Sequence, residues 1–143
     1  MAMQRRFPVE FQVAFPAGAF LVGLVEAVTD FNAPQRADGS RPQQLDKDSG
    51  LPLWQFQIVD ADAAAAKRER TASIKVAAPH QPVPPTNDSG LPFTPVELLG
   101  LTAMPYVDDS GNGRPRIAWS FRADGLCAPG KAPKHGNPDI KAA

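Results

Sequence analysis

Nucleophilic, metal-binding and cation-bearing side chains are the three chemical resources of this chain, and their spacing separates them. Cys127 is the sole cysteine, so an internal disulfide and a cysteine-rich zinc site are excluded. His80 and His135 are the only histidines that could assist that thiol, and both stand among prolines and glycines. No serine occupies a strained glycine-flanked elbow, and no glycine-rich loop ends in Lys-Ser or Lys-Thr. Asp46, Asp48 and the turn 108–112 offer oxygen ligands, but the terminal glutamate of an EF-hand loop is missing. No catalytic residue, cofactor or metal is expected.

The cations remain, together with hydrogen-bonding and aromatic side chains spaced along alternating segments. Lys75 lies on one such segment, and Arg116 and Arg122 on another. Lys67, Arg68 and Arg70 cluster between two apolar runs. Arg36, Arg41 and Lys47 are spread through a long polar stretch, and Arg114 borders a turn. Gln55, Gln57, Thr71 and Ser73 add donors and acceptors for phosphates or base edges. Phe31 and Tyr106 border loops, where an aromatic face is free to meet a base; each base stacked on such a face contributes about 1–3 kcal/mol. This combination suits single-stranded nucleic acid. The formal charge is zero, with 15 basic and 15 acidic residues, so the reading requires the charges to segregate in space. The competing reading is a solvated face of mixed charge.

These residues need elements to position them, and the elements read as strands. Sixteen prolines in 143 residues sit between the apolar runs, which favours short strands with stiff connections over long helices. The segment 53–60 puts Trp54, Phe56 and Ile58 on one face and Leu53, Gln55, Gln57 and Val59 on the other. The segment 71–78 faces Ala72, Ile74 and Val76 inward, with Thr71, Ser73 and Lys75 outward. In 116–124, Ile117, Trp119 and Phe121 share a face, and core packing is the expected role of both tryptophans, Phe56 and Phe121. Residues 19–31 read as a strand bent at Gly23, although Leu21, Leu24, Val25 and Val28 also fit a helical spacing. Residues 96–107 carry a second bend at Gly100. Phe7, Val9, Phe11, Val13 and Phe15 alternate, which predicts a half-buried N-terminal β-arm. The pentapeptide Asp-Ser-Gly-Leu-Pro occurs at 48–52 and 88–92 and reads as two similar turns before strands, not as a repeat architecture.

The five strands, 19–30, 52–60, 71–78, 96–107 and 116–124, fall in the order of an OB-fold, a five-stranded Greek-key barrel. The expected architecture is therefore all-β: an N-terminal arm over 1–18, an OB-like barrel over 19–127 and a flexible, disordered tail over 128–143. A proline-rich connection, 79–95, stands where most OB-folds carry a helix. Residues 46–60, 71–85 and 93–101 together resemble small OB-like proteins of actinobacterial plasmids and integrative elements. The plan is also similar to that of the helix-poor single-stranded-DNA-binding proteins of filamentous phages. The resemblance implies single-stranded DNA binding in the replication or transfer of a plasmid or other mobile element. The chain departs from bacterial single-stranded-DNA-binding proteins in lacking an acidic C-terminal tip.

The alternative is a protein–protein assembly module, in which the N-terminal arm adds to a neighbour's sheet edge. The same arm would also serve a homodimer. No membrane partner is expected, because the longest apolar run, 17–25, is far short of a span. No convincing secretory signal opens the chain, so a cytoplasmic location is expected. Reversing Lys75 and Arg122 together to Glu is expected to abolish oligonucleotide binding and to shift stability by less than about 1 kcal/mol.

Overall fold

The computed structural model describes residues 3–67, 70–110 and 113–132. The chain forms β1 (Phe7–Pro8), α1 (Phe11–Ala14), β2 (Ala19–Ala27), β3 (Leu53–Asp60), β4 (Thr71–Ala77), β5 (Thr94–Leu99), β6 (Thr102–Asp108), β7 (Arg116–Ala123) and β8 (Gly125–Cys127). All eight strands join one curled, open sheet, a half-barrel in the order β1-β6-β7-β4-β3-β2-β5-β8. Among the described residues no helix is long and apolar enough to cross a membrane.

β2, β3 and β4 form an antiparallel meander, as their alternating patterns require. After the proline-rich connection, β5 returns to pair antiparallel with β2, giving the Greek-key order β5-β2-β3-β4. β7 pairs antiparallel with β6 and parallel with β4. From Glu97↔Cys127 to Asp108↔Arg116 one unchanged register runs through β5–β8 and β6–β7. Residues 94–108 and 116–127 are thus two long ribbons, each broken once by a bend. The first break is at Gly100, whose φ of +59° is a glycine conformation. Gly23, at φ +78°, accompanies the register shift between Val22 and Glu26, so the strand reading, bend included, holds over Ala19–Ala27 and stops short of Phe31. Eight strands replace the expected five, because the two ribbons each split and Phe7–Pro8 adds a short edge.

The core is built from the inward positions of these alternations. Phe56, Ile58, Ile74, Val76 and Val96 are fully buried. Trp54 and Phe121 pack against them, and the Trp54 indole N–H donates to the Ala78 carbonyl at 3.0 Å. The two copies of Asp-Ser-Gly-Leu-Pro share part of their geometry, although among the described residues only the first is closed by a backbone bond, from the Gly50 N–H to the Asp46 carbonyl. Each has a glycine at φ +75°, and in each the leucine N–H donates to the serine hydroxyl at 3.2 Å.

The N-terminal β-arm is not formed as the alternation implies. Only Phe7 and Pro8 pair, against Ala103 and Thr102, and residues 11–14 make one helical turn. Tertiary burial overrides the period-2 pattern. In a turn of helix Phe11 and Phe15 fall on one side, four residues apart. Their rings lie 5.6 Å apart, and Phe15 reaches Phe121 at 5.6 Å with 4% of its surface exposed. Val13, expected to share the buried face of the arm, is exposed.

Candidate nucleic-acid interface

Register alone places the outward residues of the sheet in rows. One row crosses five strands as Glu26, Gln55, Lys75, Arg122 and Thr102. The next contains Val22, Gln57 and Ser73, and the third Phe20, Val59 and Thr71. The polar side chains of β3 and β4 therefore share one outer face, as their alternation predicts.

β4 and β7 pair only over 74–76 against 121–123. Beyond that short ladder, beside 71–73 and 116–120, lies an open groove of about 880 Å³. Ser73, Lys75, Tyr106, Arg116 and Trp119 line it, and the loop 60–66 walls its far side. Four of the residues nominated from sequence, Ser73, Lys75, Tyr106 and Arg116, thus converge. Lys75 makes no ion pair among the described residues. Tyr106 is 47% exposed. Arg116 is less available, since its guanidinium pairs with Asp108 at 2.9 Å.

The remaining nominated residues divide by position. Gln55 and Gln57 lie one strand away from Ser73 and Lys75 on the same face. Phe31, Arg36, Arg41 and Lys47 lie on the loop between β2 and β3, which enters β3 at Leu53, the end opposite the groove. Eight strand residues separate the two ends, roughly 23 Å. Phe31 is 77% exposed, and the Arg41 guanidinium carbon sits 5.9 Å from its ring centroid. Arg41 is held there by donating to the carbonyls of Phe31 and Ala33. Arg36 is exposed and bonds locally to the Ser40 hydroxyl, and Lys47 is exposed. Near the groove, Arg70 donates to the carbonyls of Ala63 and Ala65, closing the loop wall, while Lys67 and Arg114 are exposed. Arg68 lies outside the described residues, as do His135 and most of the expected tail.

Two expectations need correction. Arg122 is not a free cation: it donates to Asp46 at 3.0 Å, and that carboxylate is buried. Asp46 also accepts the Ser49 hydroxyl at 2.7 Å and the Ser49 N–H at 3.1 Å. The Ser49 hydroxyl foremost, then Arg122, hold its pKa at about 2 against the cost of burial. Arg122→Glu would set a second carboxylate against this one, so the paired reversal with Lys75 is not neutral to stability. Trp119, expected in the core, is 47% exposed in the groove, with Phe7 edge-on at 6.1 Å. Ile117, on the same face, is 66% exposed. The ribbon β6–β7 simply runs past the end of the core after Ala103 and Phe121.

Sequence reasoning also missed Arg6. The pairing of β1 with β6 carries its guanidinium onto Ser120 and Thr102, contacts separated by about a hundred residues of chain. No local pattern signals them.

The other chemical resources are engaged elsewhere. Cys127 stands opposite Glu97, and burial, then the Glu97 charge, raise its pKa, so the thiolate is disfavoured. Asp38 and Asp108 each accept a serine N–H and hydroxyl two residues on, the ordinary bonding of an Asx turn. Among the described residues no three His, Cys, Asp or Glu side chains converge. Comparison with protein-family models, with curated proteins and with solved structures finds no match to the chain.

Proposed function

We propose that this chain is a non-enzymatic single-stranded DNA binder, serving the replication or transfer of a plasmid or other mobile element. The observation that carries the reading is the groove beside β4, lined by Lys75, which makes no ion pair among the described residues. Two partly exposed aromatics, Tyr106 and Trp119, line it from opposite faces of the β6–β7 ribbon, with Asp60 and Asp62 on the far wall. A cation to follow the phosphate and ring faces to receive bases are what single-strand binding requires. The topology supports it. Counted as long ribbons, β2, β3, β4, β5–β6 and β7–β8 are five, in Greek-key order with the fifth beside the third. We read this order as the plan of an OB-type barrel, whose ligands cross strands two and three between the first and fourth loops. In this chain those elements are β3 and β4, the loop 28–52 carrying Phe31, and the turn 109–115. The strand path then runs from Phe31 and Arg41 across Gln55, Gln57 and Ser73 to the groove. α1, packed on the core through Phe11, Ala14 and Phe15, fills a role that the proline-rich connection cannot.

Titrating a labelled oligo-dT by fluorescence anisotropy at low and moderate salt tests the reading. Micromolar or tighter binding that weakens steeply with salt is expected, because bound phosphates release counterions. Emission from Trp119 should be quenched on binding and the quench lost in Trp119→Phe. Trp54, tied to Ala78, is a silent reporter. Absence of binding at low salt overturns the proposal. A second reading, an assembly module without nucleic-acid binding, draws on Val107 and Ile117, which sit opposite each other and are 68% and 66% exposed. A homodimer through that patch would show as a concentration-dependent mass in sedimentation.

A further inference from the structure

Arg6, Lys75 and Arg122 come from three distant parts of the chain and lie on one stretch of the outer face, with Arg122 between the other two. Lys75 and Arg122 are register partners on adjacent strands, about 4.8 Å apart across the sheet. Thr102 stands opposite Arg122 on the next strand. Arg6 lies over that position: one guanidinium nitrogen is 3.4 Å from the Thr102 hydroxyl and 3.2 Å from the Ser120 carbonyl, and the other is 3.0 Å from the Ser120 hydroxyl.

The charges do not balance. Among the described residues Arg6 and Lys75 have no carboxylate partner, and Asp46 serves Arg122 alone. Asp46 has little left to give, since one of its oxygens already takes both Ser49 donors. Asp124, two residues beyond Arg122, leans over Gly100 and makes no ion pair among the described residues. Glu26 stands at the opposite end of the row from Thr102, with Gln55, Lys75 and Arg122 between them, and is thus about 19 Å from the Arg6 end. Burial, then repulsion from Arg122, lower the Arg6 pKa. A neutral glutamine could donate to Ser120 and Thr102 without that repulsion. A guanidinium spends three of its five N–H donors on Thr102 and Ser120 and keeps two beside a second cation, enough to bind a phosphate through paired charge-assisted bonds.

We infer that Arg6, Lys75 and Arg122, with the Thr102 and Ser120 hydroxyls, form a phosphate subsite in which the N-terminal segment supplies the deciding cation. Its ligand is a phosphate group. That this phosphate belongs to a DNA strand rests on the function proposed above, and a free phosphate ion shares the same chemistry.

The test follows the arginine side-chain Nε–Hε signals of the whole chain by NMR. Inorganic phosphate is added against chloride at equal ionic strength, and oligo-dT in a second titration. Phosphate should move the Arg6 and Arg122 signals, and Arg6→Gln should abolish the Arg122 response. In oligo-dT binding, Arg6→Gln should lower affinity about tenfold at low salt and reduce the salt slope by about 0.7, one phosphate on a single strand. Lys75→Gln, on an exposed face away from β1, should lower the slope equally and guards against loosening of β1. Failure of phosphate to move either signal, or an unchanged Arg122 response in Arg6→Gln, overturns the subsite. A phosphate response without oligo-dT binding leaves a subsite for free phosphate and removes the strand-binding function. Oligo-dT binding with equal slopes in all three proteins keeps that function and removes the subsite.

Discussion

Asp46 couples the longest loop of the chain to its last ribbon. Its carboxylate holds the Ser49 turn with one oxygen and Arg122 with the other. Because its folded pKa is about 2, below the ordinary carboxylate value of 3.8, the native state favours the charged form. That stability is fully present above pH 4 and is lost as pH falls from about 4 toward 2, by up to about 2 kcal/mol. Acid titration of urea-unfolding midpoints should show this loss in the wild type. Asp46→Asn should be less stable at neutral pH and should lack that part of the slope; an identical slope in both would reassign the acid sensitivity. At this scale the sequence was half legible. The turn at Asp48-Ser49-Gly50 is legible in the sequence, but that Asp46 caps it is not, and Arg122 lies 76 residues away. The exposed Phe31 and Tyr106 were legible too, because aromatics that border loops have few neighbours to cover them.

At the scale of elements, glycine bends decide where the sheet turns. Gly100 holds a positive φ, and a Cβ there would run into the Asp124 carboxylate across the hairpin. Gly100→Ala is expected to cost about 1–3 kcal/mol, mostly backbone strain, since the Asp124 side chain can swing aside. Gly23→Ala meets no atom within 4 Å and should lose only the strain term. Chemical denaturation of the two variants separates these contributions: equal losses would mean that the Asp124 contact is immaterial. Both bends were readable from a glycine inside an apolar strand pattern. The helical turn 11–14 was not, because Phe7, Val9, Phe11, Val13 and Phe15 satisfy a period of two as well as a strand would. What decides is tertiary burial, which takes Phe15 into the core and leaves Val13 exposed.

For the whole molecule, the N-terminal segment belongs to the core and is no detachable arm. Phe15→Ala should therefore destabilise the entire domain by about 3–5 kcal/mol, as loss of a buried aromatic does, and unfolding should stay a single transition. If the segment were peripheral, the variant would unfold like the wild type. The same docking carries Arg6 to Ser120, 114 residues away, so integrity of the N-terminus and charge on the outer face are linked. The alternation in 53–60 and 71–77 determined which side chains of β3 and β4 face outward, and glycines and Asp-Ser-Gly turns determined where ribbons bend. A period of two reports the face of a residue, because successive side chains must point to opposite sides of a strand. It carries no information on how far the core extends along that face or on which strand lies next to it. Tertiary structure alone therefore decided that Trp119 is open to the groove, that Arg122 is spent on Asp46, and that Arg6 reaches Ser120 and Thr102.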